Sequence, residues 1–317
     1  MKLSEVVVPV VAALALAVGP LFLSHYQQDL LVKVMILAVF ALSLELLVGM
    51  TGLVSLGHAA FLGIGAYATV LGSPEYDPGS IALLLPLAMA AAAAYALLVG
   101  ALTLRTKGVY FIMVTLAFAQ MAYFVFHDTK VGRGSDGIFL NVRPVLGAID
   151  LGARGHMFYA ALVALACTYG LLALVRRSRF GHALAGIRAN EQRMRAAGFR
   201  TFGYKLAAFT LAGALAGLAG FLVAANDAAV NPEMLSWHES GAVLLMVILG
   251  GIGHLRGAVL GAAAFTLLKE ALSTHALVGP LADHWQLTLG ITIIAFVALL
   301  PQGLIGLPSR LTRRKAS

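Results

Sequence analysis

Long apolar stretches separated by short polar connections run through the whole chain. A transmembrane helix needs about 20 mostly apolar residues, and ten segments are candidates for one. They comprise residues 6–23, 30–48, 53–71, 81–104, 109–126, 157–175, 206–225, 241–249, 258–272 and 285–300. The third is rich in glycine and the eighth is too short to cross as a straight helix, so either can be broken or re-entrant. The pattern predicts an all-α, polytopic transmembrane helical bundle with about ten membrane segments.

The composition excludes an ordinary soluble protein. Of the 317 residues, 60% are hydrophobic and only 11% are charged, and the mean hydropathy is +0.91. Soluble domains are about a quarter charged, and one soluble core could not bury this much apolar surface. The apolar segment at the N-terminus has no clear small-residue cleavage site after it, so we interpret it as a retained span rather than a signal peptide. A single membrane domain over residues 1–317 follows.

The charged residues lie in the connections between the spans and indicate the orientation. A net charge of +8 would also suit a nucleic-acid partner, but its distribution follows the positive-inside rule instead. With the N-terminus in the cytoplasm, most basic residues fall inside, and the outer connections hold only Lys130, Arg133, Arg143 and Arg154. We therefore predict an even number of spans and both termini in the cytoplasm. The two long connections are a periplasmic loop at residues 127–156 and a cytoplasmic loop at residues 176–204.

The cytoplasmic loop contains a predicted amphipathic helix. Residues 182–197 are good helix formers without proline, apolar residues recur at three-, four- and seven-residue spacings, and Gly198 is a stop signal. The residues of the apolar face are Ala183, Ile187, Met194 and Ala197. Such a helix can lie on anionic lipid headgroups or dock a cytoplasmic partner. Asn190 and Glu191, within an otherwise basic helix, slightly favour docking.

Five stretches of the chain occur in an order that is found in a known family. They are residues 49–67, 106–118, 132–138, 179–191 followed by Gly198, and 247–261. Together they resemble LivM-type permeases of the branched-chain amino acid ABC importer family, with residues 179–198 similar to the coupling-helix signature and residues 132–138 similar to the outer-loop motif. The resemblance covers about residues 30–308. The chain departs from the usual pattern at Arg133, Gly186 and Met194.

The resemblance implies a set of partners and site residues. A second permease of the LivH type would complete the membrane path. Two cytoplasmic ATPase subunits would bind ATP and Mg, and a periplasmic binding protein would deliver leucine, isoleucine or valine at the bacterial inner membrane. The chain itself would hold no cofactor and catalyse no reaction. The implied ATPase-coupling residues are Gly181, Ala185, Arg188, Asn190, Glu191 and Gly198, and the periplasmic loop motif corresponds to Gly132, Gly134, Asp136 and Gly137. Similar permeases that import urea, short amides or aromatic acids remain an alternative.

No stretch of the chain has the sequence of an ATP-binding loop. The pattern G-x-x-x-x-G-K-[ST] is absent because no glycine immediately precedes a lysine, so the backbone cradle for ATP phosphates is missing. Residues 132–137 match G-x-G-x-x-G, but a dinucleotide site needs a strand before that pattern and a helix after it. An apolar span precedes it here, which favours a turn-rich loop near the site where a binding protein docks. ATP hydrolysis is therefore expected in separate subunits.

Polar residues and glycines inside the predicted spans belong either to a translocation path or to helix packing. They are Glu45, Ser55, Gly57, His58, Gly63, Gly253 and Glu270. Ionisable groups in hydrocarbon usually face protein or water, and small residues let helices approach closely. The two carboxylates also keep open an ion- or proton-coupled secondary transporter, which would lack a docking helix. No His or carboxylate cluster has metal spacing, and no G-x-S-x-G elbow supports an intramembrane enzyme.

Overall fold

The computed structural model describes residues 16–147, 149–274, 279, 284–300 and 302–306, and these residues form a bundle of helices. The helices preceding the cytoplasmic loop are α1 (His25–Glu45), α2 (His58–Gly72), α3 (Ile81–Thr103), α4 (Val109–Asp128) and α5 (Arg154–Arg177). The remaining helices are α6 (Arg179–Ala189), α7 (Glu191–Ala196), α8 (Thr201–Asp227), α9 (Trp237–Gly250), α10 (Leu255–Ser273) and α11 (Trp285–Leu299). Both termini lie outside the described residues, so their cytoplasmic location remains a prediction.

Short elements lie in the connections between the helices. Among the described residues, 3-10 helices lie at Gly19–Leu21, Gly134–Asp136, Pro232–Leu235 and Leu304–Gly306. The two-residue strands of this part of the chain are β1 (Ile138–Phe139), β2 (Val145–Leu146), β3 (Ile149–Asp150) and β4 (Ala229–Val230). Strand β1 pairs antiparallel with β4, and β2 pairs antiparallel with β3. The β1–β4 pair attaches the predicted periplasmic loop to the segment that follows α8.

The described residues contain fewer membrane-crossing helices than the ten predicted segments. Within the described residues, six helical segments are long and apolar enough to cross a membrane: α1 with the turn that follows it (His25–Thr51), α3, α4, α5, α8, and Trp285–Gly306, which begins with α11. Helices α9 and α10 together would make a seventh, but they are bent by 117° at the break between them. Segment 53–71 instead gives the short helix α2 after an extended stretch. Most of segment 6–23 lies outside the described residues.

Helices α1 and α8 form the centre of the bundle. In their most apolar windows 83% and 67% of the residues are buried, against 22–33% in α3, α4, α5 and α11. Helix α8 makes its most extensive contacts with α3 and α2, and α1 packs against α10, α5 and α8. A helix that is apolar on all sides must be covered by protein or by lipid. The four peripheral helices therefore present apolar surface to the membrane.

The small residues of α8 allow its close contact with α3. Gly213 and Gly217 face Ala96 and Ala92, and a methyl group on either glycine would overlap the opposing alanine. The Gly-x-x-x-Gly spacing lets two helix backbones approach closely, which accounts for both glycines as packing residues.

Candidate functional site

The predicted amphipathic helix of the cytoplasmic loop consists of two helices, so the prediction of one continuous helix was wrong at Asn190. Helix α6 ends there in extended backbone, with φ −160° and ψ 99°. The Asn190 side chain accepts a hydrogen bond from the Arg193 N–H at 2.9 Å and caps α7. Asparagine is among the strongest N-cap residues because its side chain satisfies a free amide of the first turn. The cap therefore divides a segment in which most residues favour helix.

The apolar face of α6 packs against the membrane-crossing helices. Ala183 and Ile187 are buried, as is Gly181, where a methyl group would overlap the Val175 carbonyl. The other two predicted members of that face differ, since Met194 is half-buried and Ala197 is exposed. The change of direction at Asn190 explains this, because residues on either side of a helix break no longer share one face.

Gly186 and Met194, two departures from the usual family pattern, contact each other. The Met194 side chain folds back over Gly186, so that a methyl group added at Gly186 would lie 2.8 Å from the Met194 sulfur. A larger residue at position 186 would push this thioether away. The absence of a methyl group on Gly186 thus makes room for the long Met194 side chain, and this contact joins α6 to α7.

Arg188 connects α6 to the end of α1. The last turn of α1 continues as a π-helix, Leu46–Thr51, and Arg188 Nη1 donates a hydrogen bond to the Gly49 carbonyl. The last carbonyls of a helix lack partners within the helix, and a cation there is favoured by the helix dipole. The Arg188 stem also lies against Gly52, whose φ of +74° ends the turn. Arg188 therefore serves as a charged cap on α1.

Glu45 connects the same end of α1 to the break between α9 and α10. Its side chain is buried, with 1% of the residue exposed, and Oε1 accepts the Gly253 N–H at 2.7 Å. Gly253 has φ +91°, a conformation that glycine adopts at little cost. Because α10 begins two residues later, the carboxylate lies near its N-terminus, where the helix dipole favours negative charge.

These contacts form one structure, here called the arginine junction and made of Glu45, Gly49, Arg188 and Gly253. A methyl group at Gly49 would overlap the Glu45 carboxylate, and one at Gly253 would lie 3.7 Å from Arg188 Nη1. The junction therefore holds α1, α6 and the α9–α10 break against one another with no room for additional side-chain atoms at Gly49. Sequence reasoning named three of its members but missed Gly49, for which the signal was a glycine one helical turn after a buried carboxylate.

Glu191 connects α7 to the start of α8. Its Oε1 accepts hydrogen bonds from Lys205 Nζ at 2.9 Å, Arg195 Nη2 at 2.6 Å and the Thr201 hydroxyl at 3.1 Å. Burial alone would raise the pKa of Glu191, but the hydrogen bond and charge of Lys205, with the bonds from Arg195 and Thr201, lower it to about 2. Glu191 is thus ionised and engaged within the chain at neutral pH. Its predicted role as a direct docking contact remains a prediction.

The two remaining predicted coupling residues, Ala185 and Gly198, both lie at the surface of the α6–α7 unit. Ala185 is exposed on the face of α6 opposite to Ile187, and Gly198 is exposed at the end of α7 with φ +87°. No heavy atom of the described residues lies within 4 Å of a methyl group built on Gly198. The exposed surface around Ala185 is therefore available to a partner. Arg188 and Asn190 are exposed as well but, like Glu191, form hydrogen bonds within the chain.

The other residues predicted for a path or for packing occupy closely packed positions. His58 Nε2 lies 2.8 Å from the Ser43 hydroxyl, and Ser55 accepts the Gly57 N–H at 3.2 Å. Gly57 faces the Thr115 backbone and Gly63 faces the Leu235 side chain. Glu270, near the end of α10, accepts a hydrogen bond from the Tyr26 hydroxyl at the start of α1. These contacts are those of packing residues, and a path role for any of them stays a prediction.

The periplasmic loop motif forms a tight turn. Gly132 packs on the Phe126 backbone, Gly134 begins the 3-10 helix Gly134–Asp136, and Gly137 packs on the Val230 backbone of β4. The Asp136 side chain is exposed. The glycines therefore fit the loop to the end of α4 and to β4, in keeping with a turn-rich connection.

A cavity of about 300 Å³ lies at the other end of α1. Its charged lining residues are Asp29, Lys33, Arg143 and Asp227, and its buried apolar lining residues are Val32, Leu151 and Met157. We call it the amphoteric cavity. About 20 residues separate Asp29 from Gly49 in the arginine junction, which at about 1.5 Å per residue is about 30 Å, comparable to the hydrocarbon thickness of a bilayer. Sequence reasoning used Arg143 for orientation but had no signal that these four charges line one cavity.

Metal-binding geometry is not found in the part of the chain that the structure describes. No group of three His, Cys, Asp or Glu residues there lies close enough to hold an ion. In the arginine junction, Glu45 Oε1 and Arg188 Nη1 bond to backbone atoms, and the buried Glu45 Oε2 has no hydrogen-bond partner among the described residues. The arrangement suits mechanical connection between helices.

Known proteins that are similar to this chain are membrane permeases. The family model described as "Branched-chain amino acid transport system / permease component" matches residues 27–297. The high-affinity branched-chain amino acid transport system permease protein LivM of Escherichia coli (strain K12) is 29% identical over 320 residues, covering 93% of this chain and 74% of the relative. Its namesake from Salmonella typhimurium (strain LT2) is 29% identical over 319 residues, covering 93% and 73%. No solved structure matches the chain.

Proposed function

Since the chain belongs to the family of permease components of branched-chain amino acid transport systems, we propose that it is one membrane half of an ATP-driven importer for leucine, isoleucine or valine. The observation that carries the coupling part of this proposal is the arginine junction. Through Arg188, a surface helix outside the membrane bundle contacts the end of α1, and Glu45 extends that contact to the α9–α10 break.

Helices α6 and α7 act as the coupling unit for a cytoplasmic ATPase. Their attachment at several points supports this role, because a unit that transmits motion must itself be rigid. Gly181 fits α6 tightly against the end of α5, Arg188 fixes it to α1, and Glu191 fixes α7 to α8. The exposed face around Ala185 is left for the ATPase. Since this chain lacks an ATP-binding loop, two separate ATPase subunits bind ATP and Mg.

The remaining partners complete the transport path. A second permease, of the LivH type, pairs with this chain in the bacterial inner membrane. A periplasmic binding protein docks near the loop at residues 127–156, which β1 and β4 attach to the end of α8. ATP binding closes the ATPase pair, and movement of α6 and α7 shifts α1 and the α9–α10 break. Transport then requires that the ATP-bound ATPases bind more tightly to one of two states of the permease pair, in which the path faces opposite sides of the membrane.

The coupling role is tested with Arg188→Gln in proteoliposomes that contain the permease pair, the ATPases and the binding protein. A hydrogen bond from a charged group contributes about 1.5–3 kcal/mol, so we expect ATP-dependent leucine uptake to fall by about tenfold or more. Arg193→Gln is the matched control, because Arg193 is exposed on α7 and its side chain forms no hydrogen bond or ion pair with another described residue, while its backbone bonds to Asn190 and Ala197. Wild-type uptake by Arg188→Gln, with normal assembly of the subunits, would remove this role from the junction.

Two alternatives are separated by the same preparation. Uptake that persists without ATPase subunits and follows an ion gradient would replace the importer with a secondary transporter. Competition by urea, short amides and aromatic acids against labelled leucine distinguishes the other substrates of similar permeases. We expect only the branched-chain amino acids to compete when the cognate binding protein is present.

A further inference from the structure

We propose that the amphoteric cavity binds the zwitterion of a small aliphatic amino acid directly on this chain, at the end of α1 opposite to the arginine junction. The choice of leucine as the test ligand rests on the proposed function, whereas the charge and shape of the cavity do not. The proposal therefore assigns a substrate-binding site to the permease itself.

Charges of both signs line the cavity without neutralising one another. Asp29 and Asp227 supply carboxylates, and Lys33 and Arg143 supply cations. Among the described residues, none of these four side chains forms an ion pair within 4.0 Å with another of them. Opposite charges that line one cavity and remain apart can bind a ligand that carries both a carboxylate and an ammonium group. A ligand with a single charge would leave either the two carboxylates or the two cations without an opposite charge.

Two of the charged groups are held in place by the surrounding chain. The Arg143 guanidinium donates to the Asn226 carbonyl at 2.9 Å and approaches the Gly152 carbonyl at 3.5 Å. The Asn226 side-chain amide donates to Asp227 Oδ1 at 2.8 Å. Arg143 has five N–H donors, so these contacts orient it and leave donors for a carboxylate. Preorganised groups lose less conformational freedom on binding.

The other two charged groups project from one side of α1. Asp29 and Lys33 are four residues apart, with Val32 next to them, and residues at this spacing are neighbours on a helix surface. Both charged residues are exposed and Val32 is buried. In this arrangement the ammonium group of the ligand lies near Asp29 and Asp227, and its carboxylate lies near Lys33 and Arg143.

The apolar part of the lining can contact the aliphatic side chain of the proposed ligand. Val32, Leu151 and Met157 are buried, with 2–4% of each residue exposed. The volume of about 300 Å³ is at the lower end of the range of about 300–1,000 Å³ for small-molecule sites. A small amino acid with a branched aliphatic side chain therefore fits both the volume and the division into charged and apolar surfaces.

The test measures binding of radiolabelled L-leucine to the full chain in lipid nanodiscs, without ATPases or binding protein. Lys33→Gln and Asp29→Asn each remove one charge-assisted contact and are expected to weaken binding by about tenfold. Lys130→Gln and Asp77→Asn change the same residue types at exposed positions outside the cavity lining and are expected to leave binding unchanged. Isopentylamine and 4-methylpentanoate, which each lack one charged group, are expected not to compete.

Three outcomes of the binding experiments would overturn the proposal, and a fourth comes from transport. The first is no leucine binding by the wild-type chain, and the second is equal binding by the wild type and both cavity variants. The third is loss of affinity for the binding protein in Lys33→Gln with leucine binding retained, which would assign the charges to protein docking. ATP-driven uptake is measured separately in proteoliposomes. Normal uptake by the cavity variants refutes only this site, and uptake that does not require ATP refutes only the importer.

Discussion

The arginine junction and the amphoteric cavity lie at opposite ends of α1 and use the same kinds of side chain differently. In the junction, one carboxylate and one guanidinium are each engaged with backbone at the end of a helix. In the cavity, two carboxylates and two cations line a volume of about 300 Å³ without pairing with one another. Charged side chains that bond to the free backbone groups at helix ends hold those helices in place. Charges that are oriented but unpaired are available to a ligand.

The difference between a closed junction and an open cavity predicts which substitutions each tolerates. Gly49→Ala places a methyl group on the Glu45 carboxylate, and overpacking of this kind costs about 1–3 kcal/mol. We expect it to lower thermal stability clearly in nanodiscs, by the largest amount of the changes considered. Gly170→Ala is the control, since a methyl group on α5 there meets no described atom within 4 Å. Equal melting temperatures for both variants would show that the junction is not closely packed.

A smaller effect is expected when the junction keeps its shape but loses charge. Glu45→Gln retains an oxygen that can accept the Gly253 N–H, but removes the negative charge at the start of α10. Such a charge contributes about 0.3–2 kcal/mol, so we expect ATP-dependent uptake to fall severalfold to about tenfold. Glu75→Gln, at an exposed position whose charge is 4.0 Å from Arg133, serves as control. An unchanged uptake rate in Glu45→Gln would show that Glu45 takes no part in coupling ATP hydrolysis to transport.

The α6–α7 unit has a pH dependence that its ion pairs determine. The pKa of Glu191 is lowered from 4.5 to about 2, so its contribution to stability is complete above about pH 4.5 and declines as the pH falls towards 2. Glu191→Gln removes this contribution, which partial exposure limits to about 1 kcal/mol. The stability difference between wild type and variant should be constant from pH 8 to pH 5 and shrink below that. A difference that shrinks between pH 8 and pH 5 would contradict the assignment.

The smallest effect on stability is expected in the cavity. Lys33 and Asp29 are exposed and form no ion pair with the other described residues, so Lys33→Gln and Asp29→Asn should change the free energy of unfolding by less than about 0.5 kcal/mol. Thermal unfolding in nanodiscs measures this. A loss as large as that of Gly49→Ala would place these residues in the structural framework instead of a ligand site.

The sequence predicted the long helices well because their signal is local. Segments 30–48, 81–104, 109–126, 157–175, 206–225 and 285–300 each correspond to one crossing-length helix in the described residues. The glycine content of segment 53–71 and the short length of segment 241–249 indicated that either can be broken or re-entrant, and in the structure α2 is short and α9 and α10 are bent by 117°. The angle of the bend depends on contacts that a hydropathy pattern does not contain, such as Gly250 with Gly257 across the break and Gly251 with the distant Gln302.

The candidate site was predictable as a location but not as a set of contacts. The basic loop and its helix-forming residues indicated a surface helix, but an asparagine at position 190 can either continue that helix or cap a new one. The ion pair between Glu191 and Lys205 of the next helix is present only in the folded chain and has no local sequence signal. The link from Arg188 to Gly49 joins residues that are far apart in sequence, and no local pattern encodes such a contact. The cavity combines side chains from α1, the loop at 127–156, α5 and α8 for the same reason.

The central claim is that the arginine junction moves α6 and the α9–α10 break together, and a spin-label distance tests it most directly. Labels at Ala189→Cys and Ile252→Cys, in a Cys167→Ser background because Cys167 is exposed, lie in segments on the two sides of the junction. In the complete transporter, we predict that ATP trapping changes this distance by less than about 2 Å, and that Arg188→Gln releases the constraint. A change of about 5 Å or more in the transporter with an intact junction, as when one element shifts past another by a helical turn, would contradict the claim.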